Sequence, residues 1–405
     1  MVLFWLMVFR LMAAIPIPGI DAAKLSQFLG SNQLFGFLNI FSGGGLSNLS
    51  VMMLGVGPYI TATIIMQLLT IVFPNLKKAY YEEGAAGQAK FNRISRYLTV
   101  PLAILQSYGF LNLLASQGVI GHLTLAEMMS NVIVITAGSV FLMWVGELIS
   151  EYKIGNGVSL IIFAGIVSRL PQAISTALFN YDPAMLPTYI AFVVLAVIVI
   201  AGVVFVNEGE RKIPVSYAKQ VRGNKIYGGV NTYLPLRVNQ AGVIPIIFAI
   251  SLLLFPQFFA QISSIISPAF SLKFNAIVSG FFANIPLYSL AYFILVVLFT
   301  YFYTAITFDP QEISKNLQRS GGFIPGIRPG EATTEMIGRV VRRITLFGAL
   351  FLGIIAILPN ITQIVTGIQA LTIGGTALLI VVAVALEVMK QVESQLTVRE
   401  YEGIF

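Results

Sequence analysis

The stretch FSGGGLSNLSVMMLGVGPYITATIIMQLLTIVF, Phe41 to Phe73, decides the fold. It opens on three glycines, runs through a mixed polar and apolar patch, breaks at Gly55-Val56-Gly57-Pro58, and then turns solidly apolar. The 17 residues from Gly57 to Phe73 sit at the short limit for a helix that crosses a bilayer. Ser42 to Leu54, before the break, is too short and too polar to cross anything. A backbone interrupted in this way is tolerated at membrane depth only where protein or a water-filled cavity surrounds it. The pattern points to a pore or a transport site.

The composition agrees. Of 405 residues 57% are hydrophobic and 10% charged, with a mean hydropathy of +0.86. Soluble domains carry about 25% charged residues, so the chain is an integral membrane protein. The absence of cysteine excludes disulfides, thiolate metal sites and thiol catalysis. The single histidine, His122, argues against a histidine metal centre or triad and is expected in an external loop. Met1 to Pro16 is apolar but lacks the basic start and small-residue cleavage pattern of a signal peptide.

Ten apolar segments are predicted, near 1–18, 57–73, 98–117, 130–150, 155–175, 187–207, 240–258, 288–308, 340–358 and 370–390. The loops at 74–97, 151–154, 208–239 and 309–339 and the tail after Glu387 fall on one side. With Arg342 and Arg343 at the start of the ninth segment, they carry 20 of the 24 lysines and arginines. Such a bias places that side, and both termini, in the cytoplasm. It also supports the count of ten, because a missed segment would scramble the alternation.

The second segment reads Gly55-Val56-Gly57-Pro58-Tyr59-Ile60 and the seventh Gly242-Val243-Ile244-Pro245-Ile246-Ile247, both G-V-x-P-x-I. They are the second members of two five-segment halves, 1–175 and 176–405, and the charge alternation runs them in opposite directions. Inverted repeats with Gly/Pro-interrupted helices in matching positions place a site between the halves.

Enzyme chemistry finds no support. Gly155-Asn156-Gly157 lacks the lysine and spacing of a phosphate cradle and is expected to open the fifth helix after a tight turn. Glu147 and Glu387 are the only acids within the ten segments, and both lie near cytoplasmic ends, where solvated or paired roles are expected rather than ion coupling. Arg10 is read as snorkelling or paired. An ion channel needs rings of charge or a carbonyl filter, and an ion-coupled carrier needs midplane acids or unwound helices around a cation. The helix breaks offer Val56, Ile60, Val243 and Ile247 instead, and a narrow aliphatic constriction seals by dewetting without preference for what passes. That suits varied polymers better than one chosen solute. The long loops add Arg211, Lys212, Lys219, Arg222 and Lys225, with alternation around Val215 and Tyr217 that fits a small hairpin, and the Pro/Gly tip FIPGIRPG. Retained positive charge for topology explains part of this, and docking of an acidic or nucleic-acid partner is the alternative.

Nine stretches carry a resemblance: IPIPGID (15–21), FSGGGLSN (41–48), PYITATIIMQLL (58–69), FLMWVGE (141–147), IGNGVSLIIFAGIV (154–167), YAKQ (217–220), LPLRVNQAGVIPIIF (234–248), FIPGIRPGE (323–331) and GGTALLIVV (374–382). In this order they resemble the SecY family, the central subunits of bacterial protein-conducting channels. The resemblance implies an all-α polytopic fold of two pseudo-symmetric halves in the cytoplasmic membrane, clamped by a small helical partner (SecE), often with SecG. It implies a waist of Val56, Ile60, Val158, Ile162, Ile247 and Ile380. A plug at about 42–54 would contain Ser42, Gly43, Gly44, Gly45, Leu46, Ser47, Asn48 and Leu49, its glycines serving as a hinge. A lateral gate between the second and third and the seventh and eighth segments would include Thr61, Gln67, Gln106, Asn239 and Phe255, opening for signal sequences and membrane helices to reach lipid. Arg222, Lys225 and Arg328 would meet the SecA ATPase or the ribosome and its RNA, although Asn224 interrupts an expected basic pair. The function implied is passive passage of unfolded polypeptide, without catalysis or cofactor. A small-solute transporter and an assembly scaffold are the competing classes.

Overall fold

A computed structural model of the chain describes every residue except 18–41, 43–44, 47–48, 74–75, 77–83, 117, 122, 172–174, 176–178, 180–182, 184–185, 218–219, 223–224, 228–230, 267, 367–373 and 403–405. It is an α-helical bundle with a small β platform. The helices are α1 (Val2–Met12), α2 (Gly57–Val72), α3 (Gly84–Ser116), α4 (Leu125–Glu151), α5 (Gly157–Val167) and α6 (Leu186–Glu208), then α7 (Ile244–Ile266), α8 (Pro268–Ala283), α9 (Ile285–Thr307), α10 (Pro310–Arg319), α11 (Glu331–Thr366) and α12 (Gly374–Glu402). Each predicted apolar segment overlaps one of these helices. Among the described residues, five helices are long and apolar enough to cross a membrane, so the count of ten spans rests on the sequence.

The helix starts follow local chemistry. Thr124 and Glu127 form a reciprocal capping box at α4. α5 opens after the Gly155-Asn156-Gly157 turn, as expected, and Asn156 caps it by accepting from the amides of Val158 and Ser159 at 3.0 and 3.3 Å. Asn284 and Asp309 cap α9 and α10, each with a proline in the first turn, where its missing N–H costs nothing. The two G-V-x-P-x-I motifs share a backbone form: Gly55 and Gly242 both take left-handed angles (φ 58° and 62°), and helices begin at Gly57 and Ile244. Only glycine adopts that angle freely. The internal echo is therefore one of conformation as well as of letters.

Within the first half, α4 packs against α1, α2, α3 and α5; within the second, α9 packs against α7, α8 and α11, and α12 against α6 and α11. The halves meet where α7 lies on α2 and α3, and where α12 lies on α5. At two places α4 is approached too closely for any side chain. A Cβ on Gly157 would run into the carbonyl of Gly146, and one on Gly138 into the carbonyl of Val51.

Two features differ from the sequence reading. Residues 268–283, taken as loop, form α8, a 16-residue helix against α7 and α9. The loop at 309–339 contains α10 and a short strand. That strand, β5 (Gly322–Phe323), joins β1 (Glu210–Tyr217) and β4 (Asn231–Arg237) in an antiparallel sheet of order β4-β1-β5, while β2 (Gln220–Arg222) and β3 (Lys225–Tyr227) form a separate hairpin. Val215 and Tyr217 lie in a strand as expected, but β1 pairs with β4, beyond β2 and β3, rather than in a small local hairpin, from Glu210↔Arg237 to Ser216↔Asn231.

Candidate functional site: an apolar cluster, a folded segment and a polar cavity

The segment before α2 folds back on the bundle. The Leu46 amide donates to Ser42 Oγ at 3.0 Å, the Ser50 amide to the Gly45 carbonyl at 2.8 Å, and the Ile17 amide to the Leu49 carbonyl at 2.8 Å. An isolated bridge pairs Pro16 with Ser50. Leu46, Leu49, Met53 and Leu54 are buried in one cluster with Ile17, with Phe110, Leu111 and Leu114 of α3, and with Ile135 of α4. Gly45 is needed for close approach rather than for an unusual angle, since a Cβ there would meet the Met52 carbonyl and Ser50 Oγ at 2.7 Å. Of the proposed plug residues, Gly43, Gly44, Ser47 and Asn48 lie outside the described residues, as does His122.

The second apolar cluster is the larger, and all six residues assigned to the waist fall in it. Val56, Ile60, Ile162, Ile247 and Ile380 are buried, and Val158 packs against them partly buried. They come from the start of α2, from α5, α7 and α12, within a cluster that also takes in side chains of α1, α4, α6, α9 and α11. A constriction lined only by such carbons offers water no hydrogen bonds and excludes it when narrow.

Among the residues assigned to the gate, the described hydrogen bonds join one pair. Thr61 and Gln106 meet, with Nε2 of Gln106 donating to Thr61 Oγ1 at 3.5 Å, but this links α2 to α3 within the first half. Asn239 instead donates to Asn207 Oδ1 at 2.8 Å and to the Gly242 carbonyl at 3.2 Å, tying the start of α7 to the end of α6. Gln67 is on α2 with a buried Oε1 that has no partner among the described residues, and Phe255 is an exposed side chain of α7. Of the two acids within the segments, Glu147 is paired, accepting from Arg96 Nε at 2.6 Å.

On the platform, Ile213 and Val215 of β1 and Leu236 of β4 form a core with Ile324, Ile337 and Val341. Ser216↔Phe323 and Tyr217↔Gly322 pair the two long loops directly. Ile324 is a buried anchor, while Arg328, four residues on, is exposed at the tip, its carbonyl accepting from Thr333 Oγ1 at 3.0 Å. Gly326 and Gly330 take φ of 82° and 108°, which the tip requires and other residues resist. Arg222 and Lys225 are backbone partners in the β2–β3 pairing.

Sequence reasoning missed a cavity of about 500 Å³ beside the platform, between α6, the start of α7 and α12. Glu208, Arg237, Asn239, Gln240, Glu387 and Lys390 line it. These residues are scattered through the sequence, and only the acid Glu387 within an apolar segment signalled it.

Comparison with known proteins places this geometry. The sequence profile of the SecY family matches residues 50–389. The protein translocase subunit SecY of Thermus thermophilus is 44% identical over 420 residues, covering 99% of this chain and 93% of that protein. That of Mycobacterium tuberculosis is 43% identical over 416 residues, covering 98% and 93%. Among solved structures, a protein-conducting channel superposes with a TM-score of 0.67 at 22% identity, covering 96% of this chain and 90% of that one. A structure described as one in which the SecY plug domain stabilises the closed state and maintains a membrane seal gives 0.64 at 21% identity, covering 96% and 89%. With its sequence matched almost end to end and its helices arranged as in those channels, this chain belongs to the SecY family.

Proposed function

We propose that the chain is the pore-forming subunit of a protein translocase, passing unfolded polypeptide across the cytoplasmic membrane and releasing apolar segments sideways into lipid. The observation that supports this reading is that Val56, Ile60, Val158, Ile162, Ile247 and Ile380, from α2, α5, α7 and α12, all fall in one apolar cluster. A folded segment packs next to it, and a polar cavity lies beside the β platform. A waist of this kind is closed to ions when narrow and is indifferent to side-chain chemistry when parted around a chain. The ten-span topology with both termini cytoplasmic, and the division at about residue 175, belong to the same proposal and rest on the charge alternation.

The chain is a conduit rather than an enzyme, so force must come from outside it. The exposed Arg328 on a glycine-shaped tip, fixed by Ile324 to the sheet, is the contact for that driver, either the SecA ATPase or a translating ribosome. One of the superposed structures is Sec61 in a canine ribosome-channel complex, at a TM-score of 0.63. Arg222 and Lys225 add positive charge on the neighbouring hairpin for an acidic or RNA surface. SecE and SecG are the expected membrane partners. The test is ATP-driven import of a radiolabelled secretory precursor into vesicles holding this chain, SecE and SecA. Protease protection that is lost with Arg328→Glu supports the reading. No protection of any precursor, in vesicles with correctly inserted protein, overturns it.

A further inference from the structure

Gln395 of α12 reaches the turn between α4 and α5. Its Nε2 donates to the Lys153 carbonyl at 2.9 Å and stands 3.5 Å from the Tyr152 carbonyl. The partners are 242 residues apart and lie on either side of the division near residue 175. The turn is itself firmly built. Lys153 takes a left-handed angle, φ 56°, which a residue with a side chain keeps only where its surroundings impose it. Ser150 Oγ donates to the Gly146 carbonyl and accepts from the Gly157 amide, both at 2.9 Å, and Gly157 lies too close to Gly146 for any Cβ. Gly155 faces α12, where a Cβ would touch Val388 Cγ2 at 3.4 Å. Helices α4 and α5 and the turn between them are therefore one body, and that body is seated on α12.

Both sides of this contact carry residues assigned to the waist. Val158 and Ile162 lie on α5, directly after the turn. Ile380 and Gln395 share one unbroken helix, so whatever holds Gln395 also holds Ile380 in place. The other three waist residues stand differently. Val56 and Ile60 follow Gly55, and Ile247 follows Gly242, both glycines at positive φ. Glycine takes either sign of φ at little cost, so the starts of α2 and α7 can reorient. We infer that Gln395 is a positioning residue that clasps the α4–α5 turn to α12. Val158, Ile162 and Ile380 then form a fixed wall, and the waist widens on the side of Val56, Ile60 and Ile247. The inference rests on the channel reading and deepens it. A side-chain amide suits the task, because its N–H groups meet main-chain carbonyls without adding a charge.

The chain has no cysteine, so introduced thiols react without background. Lys153→Cys with Ser394→Cys leaves Gln395 and the carbonyls it meets in place. In the assembled complex the two thiols are joined by a short bismaleimide carrying a reducible disulfide, with single-cysteine variants treated alike as the reference. Import of a radiolabelled secretory precursor is then measured before and after reduction. The inference predicts import within about twofold of the reference while the wall is joined. Import lost on joining and restored on reduction would overturn it, because the wall would then have to part. Resting ion conductance reads the clasp itself. Gln395→Leu removes the donor and should raise conductance about fivefold, the scale of one lost hydrogen bond. Gln395→Lys restores an N–H donor and should bring conductance back near the unaltered level. Conductance unchanged in Gln395→Leu, or raised equally by both substitutions, would also overturn the inference and leave Gln395 a surface contact. If Gln395→Leu fails to accumulate, the joined complex decides alone. Failure of the unaltered complex to import any precursor would instead count against the channel reading.

Discussion

Leu46→Ala probes the seal quantitatively. Leu46 is 1% exposed and packs with Leu49, Met53 and Leu54 of its own segment against Phe110, Leu111 and Leu114 of α3. Its turn is pinned by the hydrogen bond from the Leu46 amide to Ser42 Oγ at 3.0 Å, so the space left by truncation cannot close fully. Leucine-to-alanine changes in such clusters cost about 2–5 kcal/mol. When the displaced segment leaves this residue in water, the whole cost falls on the docked state. Taking about 2 kcal/mol, the ratio of displaced to docked segment rises about thirtyfold. Resting ion conductance of the complex in planar bilayers reads that ratio. A second truncation, Phe110→Ala, removes the facing partner, so the double variant should show less than the sum of the two effects. Conductance within twofold of the unaltered protein, with normal insertion and complex formation, would refute the assignment of this segment as the seal.

Other substitutions report on other parts of the molecule. Gly157→Ala forces a methyl group against the Gly146 carbonyl and should cost about 1–3 kcal/mol, seen as a lower thermal midpoint in detergent, whereas Gly57→Ala meets open space and should leave the midpoint unchanged. Ile324→Ala should release the second loop from the sheet, read as faster hydrogen exchange at the Ser216 and Tyr217 amides; Arg328→Glu should leave that exchange unchanged while blocking import. Glu147→Gln breaks a half-exposed pair with Arg96 and should change stability by no more than about 1 kcal/mol, with import retained.

Much of the fold was legible because membrane segments and their flanking charges are local signals. The break at Gly55 to Pro58, the helix start after Gly155-Asn156-Gly157 and the strand at Val215 and Tyr217 all follow from short-range chemistry. The repeat motif did so too, and the shared positive φ of Gly55 and Gly242 gives it a physical basis. What escaped was non-local or compositionally disguised. The pairing of Ser216 with Phe323 joins loops far apart in sequence, and a two-residue strand carries no periodicity to read. Helix α8 reads as loop in the sequence because Pro268, Lys273 and Asn275 interrupt its apolar run. Helices α3 and α11 start at Gly84 and Glu331, well before their apolar segments, as their first turns carry charge into water. At the site, the waist residues were named through resemblance to a family, and the structure gathers them in one cluster. Asn239, named in the same way, donates to Asn207 and to the Gly242 carbonyl.

The central claim is that polypeptide passes through the aliphatic waist, and site-specific photo-crosslinking to an arrested precursor tests it most directly. A photoreactive residue would replace Ile60, Ile162 or Ile247 in turn, with Val194 of α6 and Leu298 of α9, both more than half exposed on the outside of the bundle, as controls. The account predicts strong adducts from all three waist positions and little from the two controls. Adducts from Val194 or Leu298 that match or exceed those from the waist would contradict it.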